Sequence, residues 1–183
     1  MKIKKIHHVA YRCNDAKETA DFYKEALGMD MLLVFAEDKA PSTKEKDPYM
    51  HIFLDAGMGN ILAFFELPNS PKMARDNNTP EWVQHIAFEI DGMDHLVNAK
   101  IKVESMGLEV IGPINHTLFQ SIYFFDPNGH RLELAVNTPV SKEKMKKIID
   151  LGPEMLEEWN KTKSPPKQNA WLHKEEFKGA INE

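Results

Sequence analysis

The chain has 183 residues and a single cysteine, Cys13. One cysteine excludes an internal disulfide framework and suits a reducing compartment. Long hydrophobic runs are missing too. The longest, residues 61–65, falls far below the roughly 20 apolar residues of a membrane-spanning helix. The amino terminus passes from lysines straight into strand-like sequence with no apolar leader core. No signal peptide is expected, therefore, and a cytoplasmic protein is. There is no basic run, and the net charge of −5 gives nucleic acid nothing to hold. Neither nucleic acid nor membrane is an expected partner. What remains is ordinary globular material, 42% hydrophobic and 28% charged, enough for one medium domain or two small ones.

The chain repeats itself. With His8 set against His85, Val9-Ala10-Tyr11 faces Ile86-Ala87-Phe88. A helical pattern follows each segment. In the first copy Asp15 and Glu18 form a capping box, Ala20, Tyr23 and Leu27 recur at helical spacing, and Gly28 stands at the carboxyl end. In the second, Leu96, Ala99, Val103 and Met106 form the apolar stripe and Gly107 ends it. Three strand candidates come next in each copy: residues 29–36, 50–56 and 60–67, then 108–114, 119–126 and 130–136. Asp-Pro-Asn-Gly at 126–129 is a turn signal that makes the last two a hairpin. Each copy reads β-α-β-β-β, so the expected fold is α+β, two βαβββ modules forming a curled mixed sheet.

The expected boundaries are 1–67 for the first module, 68–82 for a linker, 83–138 for the second module and 139–183 for a carboxyl-terminal extension. Residues 37–48 are polar, lack periodicity and read as a loop. The extension reads as two amphipathic helices, near 141–150 and 153–162, split by Gly152-Pro153. Trp171, Leu172 and Phe177 beyond them need cover, on the body of the protein or on a second subunit.

Strand side chains alternate between faces. Val9 and Tyr11 suit a helix-packing face, which puts His8 and Arg12 on the opposite, concave one; the same parity places His85 there. The last strand of each copy sets a carboxylate among apolar residues, Glu66 and Glu133. A buried carboxylate is costly unless it is paired or bound to a metal. Two histidines and two glutamates at repeat-related places point to one divalent metal. Imidazole with carboxylate suits Fe(II), Zn, Ni, Mn or Co.

With these residues in place, the sequence resembles the vicinal oxygen chelate superfamily, which includes glyoxalase I, extradiol ring-cleavage dioxygenases and fosfomycin and bleomycin resistance proteins. Residues 121–135, SIYFFDPNGHRLELA, resemble the family's closing hairpin, and IHHVAYRCNDAKETADFYKEALGM its opening strand and helix. The resemblance covers about residues 3–137. It implies His8, His85 and Glu133 as metal ligands, with Glu66 as the fourth ligand and proton carrier of glyoxalase-like members. Arg12 then resembles a substrate-binding arginine, and Tyr123 a catalytic tyrosine of extradiol dioxygenases.

The texture of the whole favours the dioxygenase branch, hence Fe(II) and a catechol-type small-molecule substrate. A glyoxalase-type lyase or isomerase is the alternative, and a non-catalytic binding or resistance protein a further one. His116 and His51 are candidate acid–base groups. Phe53, Phe64, Phe119 and Phe124 are candidate pocket walls. Exposed sheet edges and the apolar tail lead us to expect a homodimer.

Overall fold

The computed structural model describes residues 2–40, 42–74 and 76–167. Trp171, Leu172 and Phe177 lie outside the described residues. In chain order the elements are β1 (Val9–Cys13), α1 (Ala16–Leu27), β2 (Met31–Lys39), β3 (Lys46–Asp55), β4 (Ile61–Glu66), β5 (His85–Glu89), α2 (Gly92–Ser105), β6 (Ile111–Asn115), β7 (Phe119–Phe125), β8 (Arg131–Asn137) and α3 (Lys142–Thr162). The strands form two four-stranded sheets, ordered β1-β4-β3-β2 and β5-β8-β7-β6. The duplicated β-α-β-β-β pattern thus yields the same strand order twice. The described chain divides into two compact units. The first comprises Met1–Phe88, Ile101–Val110 and Tyr123–Glu133; the second comprises Glu89–Lys100, Ile111–Ile122 and the chain from Leu134 onward.

In the first unit, α1 begins where the side chain of Asp15 accepts the Glu18 backbone N–H at 2.8 Å. It ends at Gly28, whose φ of 72° is left-handed and whose N–H donates to the Lys24 carbonyl. The sheet beside it is mixed: β1 runs parallel to β4, while β4–β3 and β3–β2 are antiparallel. Register defines the faces. Val9, Tyr11 and Cys13 pair with Leu62, Phe64 and Glu66, while Ile52 and Leu54 pair with Phe64 and Leu62. Leu54, Leu62 and Phe64 are fully buried there, with the Tyr23 ring of α1 tilted against that of Phe64, centroids 5.1 Å apart. Each such side chain contributes roughly 1.5–3 kcal/mol by leaving water. His51, Phe53 and Phe65 occupy the other face, paired with Phe65, Ala63 and His51 respectively.

The turn after β7 is pinned into this unit by a buried polar network. Tyr23 donates its hydroxyl to Asp126 at 3.2 Å, and Asp126 also accepts the backbone N–H groups of Asn128 and His130. The Asn14 N–H donates to the Asn128 side-chain oxygen at 2.8 Å. Asn128 in turn donates to the Thr19 hydroxyl at 3.0 Å, and His130 Nε2 to the Arg12 carbonyl at 2.8 Å.

Two expectations need correction. Residues 37–48 are not one loop: β2 extends to Lys39 and β3 starts at Lys46. β2 is exposed along its whole length, and an exposed edge strand tolerates polar side chains on both faces. Nor are there two carboxyl-terminal helices. In the second unit α3 runs unbroken from Lys142 to Thr162 with Pro153 inside it, begun by Ser141 and buried at no position. Also in that unit, Gly112 holds a φ of 111°, and a Cβ there would stand 2.5 Å from the Ser121 carbonyl oxygen. Among the described residues no helix is long and apolar enough to cross a membrane.

Candidate functional site

β5 opens with His85, and β8 carries Glu133 two residues past its start. His85 Nε2 lies 2.9 Å from Glu133 Oε2, and the carboxylate is almost fully buried while the imidazole is about one-third exposed. The other ring nitrogen, Nδ1, faces the Val83 carbonyl at 3.1 Å. A carbonyl can only accept, so Nδ1 bears the proton there. Nε2 then meets a carboxylate that also only accepts. A neutral imidazole cannot satisfy both contacts. A cation held between nitrogen and carboxylate would satisfy both acceptors at once. A ligand histidine that gives its far N–H to a carbonyl is the usual arrangement around protein-bound metals.

Arg131 lies two residues before Glu133 and so shares its face of β8. The Arg131 guanidinium covers the Tyr123 ring at 4.3 Å, and Tyr123 stands edge-on to His85 with centroids 5.9 Å apart. A cavity of about 520 Å³ opens beside this group, bordered by Tyr11, Met73, Val83, His85, His130 and Arg131 among others. The chain after β4 supplies much of the wall. Arg12 donates to the Pro71 carbonyl, and the Met73 N–H donates to the Asn14 side chain at 2.9 Å. Arg12 therefore fastens this segment in place.

The remaining candidate residues are dispersed. His8 precedes β1 on the face carrying His51 and Phe53. Its ring lies 5.9 Å from that of Phe53 and its Nδ1 2.8 Å from that of His7. Among the described residues no three His, Cys, Asp or Glu side chains gather to hold a metal, so His8 does not join His85 and Glu133 within the described chain. Glu66 belongs to the helix-packing face. Its carboxylate accepts the Ala16 N–H at 2.7 Å, at the positive end of α1. Phe64 and Phe124 are core residues rather than pocket walls, at 0% and 1% exposure. Phe53 lies on the sheet face away from α1, its ring 4.1 Å from that of His51. Phe65 stacks on the His51 imidazole at 3.5 Å. Burial lowers the His51 pKa, with His8 adding to the effect, and its Nε2 is shielded from solvent without a hydrogen-bond partner. In the second unit His116 and Phe119 stack on each other with centroids 4.9 Å apart. Arg131 was not foreseen, although strand alternation from Glu133 signals it.

The profile of the Glyoxalase/Bleomycin resistance protein/Dioxygenase superfamily matches residues 5–134. The chain belongs to this superfamily. Members are largely metal-dependent enzymes, dioxygenases and transferases among them, and some are non-catalytic. One relative of this vicinal oxygen chelate protein is MhqA of Bacillus subtilis, named as a ring-cleaving dioxygenase. It is 28% identical over 141 residues, which are 75% of this chain and 42% of that protein. The chain thus spans less than half of MhqA. A second is the metallothiol transferase FosB of Staphylococcus epidermidis, 26% identical over 140 residues, 75% of this chain and 85% of FosB. A solved structure of the same fold is a glutamate-to-glutamine variant of the fosfomycin resistance protein FosX from Listeria monocytogenes. Its TM-score is 0.55 and its identity 17%, with 79% of this chain and 99% of that one covered. That structure contains Mn(II) and 1S,2S-dihydroxypropylphosphonic acid.

Proposed function

We propose that this superfamily member is a metal-dependent ring-cleavage oxygenase of the extradiol type, acting on a catechol-like aromatic. The observation that carries the reading is His85, with a proton acceptor on each ring nitrogen beside a buried carboxylate. Donors of this kind fit a divalent ion, and Fe(II) is the one that suits oxygenase work. His85 and Glu133 would hold it, and His8 would complete a two-histidine, one-carboxylate set. Since His8 stands apart in the described chain, the third ligand would come from a second copy, in a homodimer.

A divalent ion held there supplies Lewis acidity toward both oxygens of a vicinal diol and, as Fe(II), electrons for O₂. The side chains do the rest. Tyr123 would orient the diol through its phenol. His51, kept neutral by burial, would take a diol proton on its unpartnered Nε2. Phe53 and Phe65 flank the His51 ring and would shield the reacting oxygens from water. The glyoxalase-type alternative asks Glu66 to ligate and to carry a proton; the bond from Ala16 N–H to that carboxylate weighs against it.

The test is anaerobic purification with Fe(II), metal analysis and O₂ uptake on catechol. His8→Ala, His85→Ala and Glu133→Gln should each lower metal content at least about tenfold, while Glu66→Gln retains it. Mixing His8→Ala chains with Glu133→Gln chains should restore metal to one site per mixed dimer, since one pairing of copies is then intact. Metal occupancy unchanged in His85→Ala would end the reading. Absence of O₂ uptake with metal bound would leave a different reaction or a binding protein. Failure of the mixed chains to recover would place the site within one copy.

A further inference from the structure

We propose that the cavity beside His85 holds an anion subsite built on Arg131, so that the aromatic substrate carries a carboxylate. Arg131 is half-buried on β8, its Nε is shielded from solvent, and that nitrogen has no hydrogen-bond partner. Among the described residues it forms no ion pair. A guanidinium drawn out of water without an anion is costly, and proteins tolerate such a charge where a ligand supplies the counter-charge. This one rests over the Tyr123 ring at 4.3 Å, a contact that uses none of its N–H donors in a hydrogen bond to a carboxylate.

The cavity lining holds two carboxylates that could have neutralised Arg131, and neither does. Asp76 is committed to its own turn, accepting from the Asn78 N–H at 2.9 Å and from the Thr79 hydroxyl. Glu81 forms no ion pair with Arg131 among the described residues. The same lining brings four flat rings, Tyr11, Phe125, His85 and His130, together with aliphatic and polar residues such as Val83, Gln84 and Asn128. Tyr11 and His130 lie tilted against each other with centroids 4.9 Å apart. A cationic fork, flat rings in the wall and about 520 Å³ of space match a benzoate-sized molecule. For the reacting diol the inference rests on the oxygenase reading. The anion subsite depends only on Arg131 and its cavity.

The test uses the full chain at pH 7.5 and two probes of one shape, benzoate and benzamide, titrated by calorimetry. Benzoate should bind about tenfold more tightly, as a charge-assisted fork contact gives. Arg131→Gln should abolish the preference, and Arg131→Lys should keep part of it, with thermal midpoint and metal content near wild type. Equal binding of the two probes by wild type overturns the proposal. So does a preference that survives Arg131→Gln, which would assign the anion to His85 or its metal. If Arg131→Gln does not fold, Arg131→Lys decides: an undiminished preference overturns the proposal. O₂ uptake on catechol and 3,4-dihydroxybenzoate separates the two readings. Benzoate preference without uptake removes the oxygenase and keeps the subsite. Uptake with equal KM for both substrates in wild type and Arg131→Gln does the reverse.

Discussion

Cys13 and Glu66 face each other in the register of β1 and β4, and both are turned toward α1. The Cys13 thiol is 1% exposed. Burial pushes its pKa from 9.0 up to about 11; the bond to Thr19 opposes this, while Glu66, Asp15 and Asp126 add to it. The folded chain thus favours the neutral thiol. The stability this confers is complete below pH 9 and is lost as pH rises through about 11. At pH 8 the thiolate fraction is about one in a thousand, so a disulfide reagent should label native Cys13 at least about 100-fold more slowly than the urea-unfolded chain. Equal rates would show that the thiol is open. Glu66 marks the limit of reading by residue. Its apolar neighbours signalled burial, and the carboxylate does have a partner, but that partner is a helix N–H. A slip of one residue along a strand exchanges the two faces. The sequence of β4 contains no feature that fixes the parity before the β1–β4 register is known. Glu133 was legible because His85 supplied an independent partner.

The elements that the sequence marked best are those with capping chemistry. Asp15, Gly28 and the Asp126 turn announced their boundaries, and the structure uses all three. The hairpin of β2 and β3 was harder to foresee. Glu37 to Lys39 and Lys46 to Pro48 are polar, and an edge strand with both faces in water has no alternation to display. Pro153 misled in the opposite sense. It breaks most helices, but α3 continues through it. At β6 a single glycine is decisive. Gly112→Ala would combine a left-handed backbone with a Cβ 2.5 Å from the Ser121 carbonyl oxygen. Such strain costs on the order of 1–3 kcal/mol. Urea unfolding of Gly112→Ala should show the midpoint lowered with an unchanged slope; a midpoint equal to wild type would mean that β6 relaxes freely.

For the whole molecule, the duplicated sequence foretold the duplicated topology, because each copy carries its own strand, helix and turn signals. It left open how the four presumed ligands would be shared. His8 stands apart from His85 and Glu133 in the described chain, so the metal site expected from the repeat would require a second copy. Light scattering at micromolar concentration should then give twice the chain mass. A monomer that still binds metal through His8 would contradict this. β2 bears on the same question: Met31, Leu32, Leu33, Val34 and Phe35 are each more than two-fifths exposed along an edge strand. Such an edge favours association.

Tyr23 and Asp126 are separated by 103 positions, and this has a consequence for how the chain is made. At roughly 5–20 residues per second, a ribosome delivers the aspartate some 5–20 s after the tyrosine has been added. During that interval α1 has its helix caps but lacks the turn that occupies the buried end of the Tyr23 ring. A nascent chain arrested at residue 70 should therefore be digested readily by a protease, and one arrested well past residue 133 should resist. Equal resistance at the two lengths would show that the first module completes itself without waiting for its late partner.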